Sequence, residues 1–473
     1  HPSDRSDILR GAARLSRKLA RKWNQDLGTA VRISLPKCLP VLVALLIVGC
    51  GGPSPHETQA PGAGRFRPIN PAVTDIWDRQ TTENAQLLRE IAAEFNAMHE
   101  GPPVKVIQSG DYADIYTKTV AAIKARTLPA MAVAYGNMTL KYANLGALAD
   151  LGEFVADPET GLSKEELDDF FPAVLEQNRY SDLDGRMFSF PYTKAVLVMY
   201  CNTDVLAGAG LSSPPKSWDE FLDQCRAVKT KTGKFALCFD VDPSTVNGMI
   251  FSMGGEIIEE GRLQYDTAEA VAVFKLLETL FKEKLAYQNP PRTFNDQTAF
   301  GRDETAFAFR PSSSRPYYEI AKEGLEGWLI APLPQSDPSR PSTVLYGANI
   351  SIFNTTPEQM RTAWAFVKYF TSPEINVRWA LKTGYLPYRK SAVDDPSLQA
   401  FWDEWPYNKT AFDCLPYARP EPNIEQWQEV RRLIENATIS VITGLKTADE
   451  AAATLQQEVD GLIARRLRAT KRN

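Results

Sequence analysis

Between residues 76 and 135 the apolar positions switch between two periods. Residues 82–99 set Leu87, Ile91 and Phe95 on one helical face and stop at Gly101, which predicts an amphipathic helix. Residues 104–107 read as a short strand, 111–126 (DYADIYTKTVAAIKAR) as a second helix and 131–135 (MAVAY) as a second buried strand. Strands and helices that alternate at this spacing predict an α/β sheet of largely parallel strands. In such sheets ligands gather beyond the carboxyl ends of the strands. That rule points to residues 109–112 and 135–137 as a binding edge.

Further on, Asp184-Gly185 predicts a tight turn into MFSFPYTKAVLVMYCNTD. Its run of Val, Leu and Met over residues 195–201 is a buried strand that carries the chain into a second domain. Ser217 is placed to cap a helix starting at Trp218. There follow a strand (FALCFDV), a helix from Asn247, a strand at 263–266 and a long amphipathic helix at 267–284. A strand at 305–309 leads into the polar loop Ser312–Ser314, and 344–353 (VLYGANISIF) reads as one continuous strand. Residues 357–370 form a helix with Pro in its first turn. No internal repeat is visible, and folded structure is expected from about Ile76.

The apolar run CLPVLVALLIVGC, Cys38 to Cys50, stands apart from this pattern. Arg32 and Lys37 precede it, and a stretch rich in Gly, Pro and Ser follows. A basic flank, a short apolar core and a small residue before the break describe a secretory signal. The run is shorter than the roughly 20 apolar residues that span a bilayer. Residues 1–30 read as an upstream extension of the reading frame or as a basic amphipathic segment on a membrane. The Cys after Ile47-Val48-Gly49 resembles the lipobox of bacterial lipoproteins, which implies that residues 1–49 are removed and Cys50 is lipidated. Residues 51–70 read as a flexible tether.

Composition then narrows the chemistry. Residues 1–50 hold 9 Lys/Arg and 3 Asp/Glu, so the rest of the chain, with 44 and 55, is acidic. An acidic body argues against a nucleic-acid partner. Its length favours two domains. Of six Cys, four lie beyond the anchor: Cys201, Cys225, Cys238 and Cys414. Their spacing fits no zinc pattern. An exported chain permits disulfides, with Cys225–Cys238 the best-placed pair and plain buried thiols the alternative. His99 is the one His of the expected body, so Ser-His-Asp, Cys-His and multi-His metal sites would all have to use it. Asp240 and Asp242 lack the regular spacing of a calcium loop. No nucleotide-binding loop is present, and no cofactor is expected.

The stretches FPYTKAVLVMYCNTDVLAGAGL, PPKSWDEF, TAWAFVKYFTSPE and KTGYLPYRKSAV, in this order, resemble the extracellular solute-binding proteins of ABC importers over residues 75–465. Within them the chain looks most similar to the glycerol-3-phosphate and glycerophosphodiester binders, with the sugar binders next. The resemblance implies an α/β, two-lobe periplasmic-binding-protein fold of type II with its ligand cleft between the lobes. Lobe 1 would be 71–190 plus 345–395, and lobe 2 would be 196–344 plus 396–470. It implies ligand contacts at Tyr112, Tyr135, Ser312, Ser313, Gly347, Tyr385 and Arg419. The chain departs from the glycerol-3-phosphate binders at Gly136, where they carry Glu, and at Lys194 or Ala195, where they carry Ser. Lys194 is therefore a further candidate.

A binder of polar solute is chemically reasonable from these residue types. Tyr rings offer an apolar face and a hydroxyl, backbone N–H groups after Ser312–Ser314 suit an anion, and Arg419 offers a planar fork. The expected protein is a membrane-anchored, monomeric receptor that serves an ABC permease and is no enzyme. An exported carboxylate-dependent hydrolase and a protein-binding lipoprotein on the same fold are the alternatives.

Overall fold

A computed structural model describes residues 66–470 except Arg292, with side chains through residue 465. The leader, the Cys50 lipidation site and the tether up to residue 65 lie outside the described residues. The end of the expected tether is not free chain: Arg67–Pro68 pairs in parallel with Thr127–Leu128.

Two sheets organise the described residues. The first runs in the order Val104–Gln108, Thr74–Asp78, Met131–Ala134, Asn349–Ile352, Phe190–Pro191. The first three strands are mutually parallel, as the alternation of strand and helix predicts, and Asn349–Ile352 enters antiparallel to both of its neighbours. The helix Thr82–Met98 buries Leu88, Ile91 and Phe95 against this sheet. Each such side chain contributes about 1.5–3 kcal/mol on leaving water. The helix Tyr112–Lys124 starts at Asp111, whose carboxylate accepts the Asp114 N–H at 2.9 Å in a capping box. This cap fixes where Tyr112 leaves the sheet edge.

The second sheet runs in the order Ala286–Gln288, Phe235–Phe239, Thr305–Pro311, Ala195–Asn202, Thr343–Tyr346, Ala418–Pro420, and Trp328–Ala331 also pairs with Ala195–Asn202. Every residue of Ala195–Asn202 is buried, as a continuous apolar run demands of a strand covered on both faces. Ser217 caps Trp218–Thr232 by accepting the Glu220 N–H at 3.2 Å. The helix expected from Asn247 begins earlier, at Pro243, because Asp242 supplies the cap. The strand expected at 263–266 shrinks to Arg262–Leu263, in a hairpin with Ile258–Glu259.

The largest departure concerns 344–353. It is two strands in two sheets, Thr343–Tyr346 and Asn349–Ile352, broken at Gly347. Gly347 has φ +118°, and a β-carbon there would overlap the Thr193 carbonyl. Glycine alone tolerates both conditions. Its crossing runs beside Tyr192-Thr193-Lys194, and the Thr193 N–H donates to the Ala348 carbonyl at 3.1 Å. These two neighbouring crossings join the sheets. The four Cys of the body are free and buried, so the Cys225–Cys238 bridge is not formed; Cys238 instead lies 3.8 Å from the Asn289 side-chain oxygen.

Candidate functional site

A cavity of about 250 Å³ lies between the two sheets. From the first sheet come Tyr135, Gly136 and Asn137, at the start of the helix Gly136–Asn144. Tyr346, Gly347, Asp242, Ser244, Glu421 and Arg431 come from the second sheet, its crossing and its helices. The cavity thus sits at strand ends, as expected of ligands in parallel sheets.

Tyr112 and Tyr135 meet with ring centroids 4.3 Å apart. Arg79 lays its guanidinium over the Tyr112 ring, 4.9 Å from the centroid. Burial pushes the Tyr135 hydroxyl up to about 12, and the Tyr112 hydroxyl well above its ordinary range. Both are neutral donors at neutral pH. Below them, Asp78 is buried and accepts from the Gln80 N–H at 2.6 Å and the Tyr192 hydroxyl at 2.9 Å. Burial raises its pKa against those bonds.

The opposite wall is a charge network. Arg431 donates to Asp242 at 2.9 Å, to Glu421 at 3.1 Å and to the Ser244 hydroxyl. Asp242 also accepts from the Tyr346 hydroxyl at 3.2 Å, and Glu421 from Asn247 at 2.6 Å and from the Trp427 indole at 3.3 Å. A guanidinium flanked by two carboxylates holds both acids in place, facing the cavity.

The expected site residues fall into three groups. Tyr112, Tyr135 and Gly347 surround or adjoin the cavity. Tyr385 stands beside them and shares a smaller void of about 30 Å³ with Ser312. The Ser313 carbonyl packs near Gly384, next to Tyr385. Ser312 is turned inward: its hydroxyl accepts the Val196 N–H at 3.2 Å and its carbonyl the Tyr200 hydroxyl at 3.2 Å. Lys194 is fully buried at the crossing, with Nζ donating to Gln177 at 2.7 Å, Asn349 at 2.5 Å and the Ala348 carbonyl at 3.2 Å. Burial drives its pKa well down. Arg419 is not brought to the cavity; it pairs with Glu256, stacks on Phe251 and lines a separate groove with Asp337 and Arg340.

The basic side chain on the cavity wall is Arg431; Arg79 stands next to the wall, against Tyr112, whose ring meets the wall residue Tyr135. Sequence reading passed over both, together with Glu421 and Tyr346, and weighed Asp242 only as a calcium ligand. Arg79 had a signal: it follows the strand Thr74–Asp78 directly, at the same edge as the two loops already singled out. Arg431 had none, because it lies inside the helix Trp427–Ile442, far from any motif.

Residues 90–410 match the family model of bacterial extracellular solute-binding proteins. The sn-glycerol-3-phosphate-binding periplasmic protein UgpB of Escherichia coli K12 is 25% identical over 425 residues, covering 85% of this chain and 95% of that protein. The protein of the same name from Rhizobium meliloti is 24% identical over 423 residues, covering 83% and 94%. Among solved structures, UgpB from Mycobacterium tuberculosis in complex with glycerophosphocholine has a TM-score of 0.73 at 21% identity, covering 84% of this chain and all of that one. The sugar-binding protein MalE from Xanthomonas citri also reaches 0.73, at 20% identity, covering 85% and 100%. The fold is that of the two-lobed type II periplasmic binding proteins, and the chain belongs to the bacterial extracellular solute-binding proteins.

Proposed function

We propose that the protein is the receptor of an ABC importer that captures a glycerol-3-phosphate, a glycerophosphodiester or a sugar between its lobes and delivers it to a membrane permease. The observation that carries this reading is the cavity itself. It has Tyr135 on one wall and the Arg431–Asp242–Glu421 network on the other, so one solute would touch both lobes at once. Relatives named for glycerol-3-phosphate binding, and a neighbour solved with glycerophosphocholine, support the solute class. Lobe 1 is then 71–190 plus 347–395 and lobe 2 is 196–346 plus 396–470, two residues from the expected division because Thr343–Tyr346 pairs within the second sheet. A lipid on Cys50 tethers the exported monomer to the membrane.

Solute that contacts both lobes shifts the population toward the closed form by as much as its affinity for the two forms differs. Tyr112, Tyr135 and Tyr385 supply rings and hydroxyls, and Asp242 and Glu421 accept from solute hydroxyls. Ser312, Ser313 and Gly347 shape the floor. Calorimetric titration with glycerol-3-phosphate, glycerophosphocholine, ribitol and maltose tests this reading. One-to-one binding of at least one solute, recovered chemically unchanged, is expected. Conversion of a bound solute to product, or no binding by any of the four, would overturn it.

A further inference from the structure

We infer that Arg79 is an anion-recognition residue of the cleft, and that the solute therefore carries an oxyanion, a phosphate ester or a carboxylate, on its lobe 1 side. The inference rests on the receptor reading above and adds the chemical class of one end of the ligand.

Two arginines near the cleft are partnered unequally. Arg431 has two carboxylates, Asp242 and Glu421, at 2.9 and 3.1 Å. Arg79 makes no ion pair with a carboxylate among the described residues. Its buried Nε has no hydrogen-bond partner. The Tyr112 ring covers one face of the guanidinium, 4.9 Å from its centroid. The acid next to it in sequence, Asp78, has committed its oxygens to Gln80 and Tyr192.

A half-buried cation without a counter-charge costs stability unless something anionic joins it. The group against Arg79 is the Tyr112 phenol, and the Tyr135 phenol follows at 4.3 Å between ring centroids. A phenol is neutral at working pH and donates a hydrogen bond, so the cluster offers a fork of N–H donors plus O–H donors, and the one neighbouring carboxylate, Asp78, is already bonded to Gln80 and Tyr192. That is the donor set an oxyanion needs. The other wall, where Arg431 is outnumbered by two carboxylates, suits hydroxyls or a cationic group. The cleft is polar in a fixed direction.

The test is calorimetry of the wild type, Arg79→Gln and Arg79→Lys against glycerol-3-phosphate, glycerophosphocholine, gluconate, inorganic phosphate, and the uncharged glycerol and maltose. The wild type is expected to bind at least one anionic probe more tightly than its uncharged counterpart. Arg79→Gln should weaken that probe at least tenfold, with a melting temperature of the solute-free protein at or above that of wild type. Arg79→Lys should fall between, because it keeps the charge and loses the fork. The ester, diester, carboxylate and free-phosphate arms identify the oxyanion. Equal affinity of wild type and Arg79→Gln for every anionic probe overturns the inference, as does tight binding of uncharged probes alone; both leave the receptor reading standing. Failure of every probe to bind the wild type overturns both.

Discussion

Gly136 and Asn423 face each other across the cleft with no room for a β-carbon between them. Asn423 donates from Nδ2 to the Gln177 carbonyl at 2.6 Å, which ties the chain after the last strand of the second sheet to the first lobe. A side chain at 136 would have to push the Asn423 amide aside and break that bond. Losing one such bond costs about 0.5–1.5 kcal/mol. We therefore expect Gly136→Ala to weaken solute binding roughly two- to tenfold, by that same energy, while the melting temperature of the solute-free protein holds. In the Asn423→Ala background the same change should be nearly neutral, and a double-mutant cycle by calorimetry measures this. Additive losses would show that the two residues do not meet in the bound state.

One helical turn beyond the cleft-lining Asn137, Lys141 meets Glu425 at 2.6 Å, and Asn144 reaches the other carboxylate oxygen at 3.3 Å. The pair keeps 36% and 25% of its side-chain surface in solvent, which sets a modest value for it. An exposed pair contributes about 0.2–1 kcal/mol and fades with salt. Lys141→Ala should lower solute affinity by less than about fivefold at low ionic strength. The difference from wild type should close as salt is raised through the titration series. A loss that persists at high salt would mean that packing, not charge, matters here.

Asp78 gives a pH signature. Burial raises its pKa, so over the window between an ordinary aspartate value near 4 and the raised one the folded protein holds a proton that the unfolded chain has lost. Stability from this group is thus present at the acid end and is lost as pH rises through the window, with no further change above it. Asp78→Asn removes the titration and can still accept the Gln80 N–H. Urea unfolding from pH 4 upward should show wild type losing stability relative to Asp78→Asn as pH increases. A difference that is flat with pH would remove Asp78 as the source.

Lys194 connects the crossing segments to the cleft through Gln177. Three acceptors surround its ammonium, matching its three donors, while burial penalises the charge. Lys194→Met removes the charge but leaves those acceptors unpaired, each at about 1–3 kcal/mol. The acceptors should win, and we expect net destabilisation of about 2–4 kcal/mol with loss of solute affinity. A variant more stable than wild type would show that the buried charge dominates.

Much of this arrangement was legible in the chain. The helix periods of 82–99 and 111–126, and the apolar run at 195–201, are local signals, and the structure follows them to within a residue or two. The break at Gly347 was not legible. VLYGANISIF reads as one strand because nothing local says that its two halves belong to different sheets; the Thr193 carbonyl that forces the bend lies about 150 residues away. The same limit applies to charge. A lone Arg in a helix, such as Arg431, shows its partners only once Asp242 and Glu421 are folded against it. Arg419 lies in a conspicuous Pro-rich stretch that reads as a loop but forms the strand Ala418–Pro420, where Glu256 and Phe251 hold its side chain away from the cavity.

A receptor of this kind works only if solute draws its lobes together. Small-angle X-ray scattering of the protein, without solute and then saturated with whichever probe binds most tightly, measures that closure. A smaller radius of gyration is expected with solute, and Gly136→Ala should need more solute to reach the same value. An unchanged radius at full occupancy would contradict lobe closure.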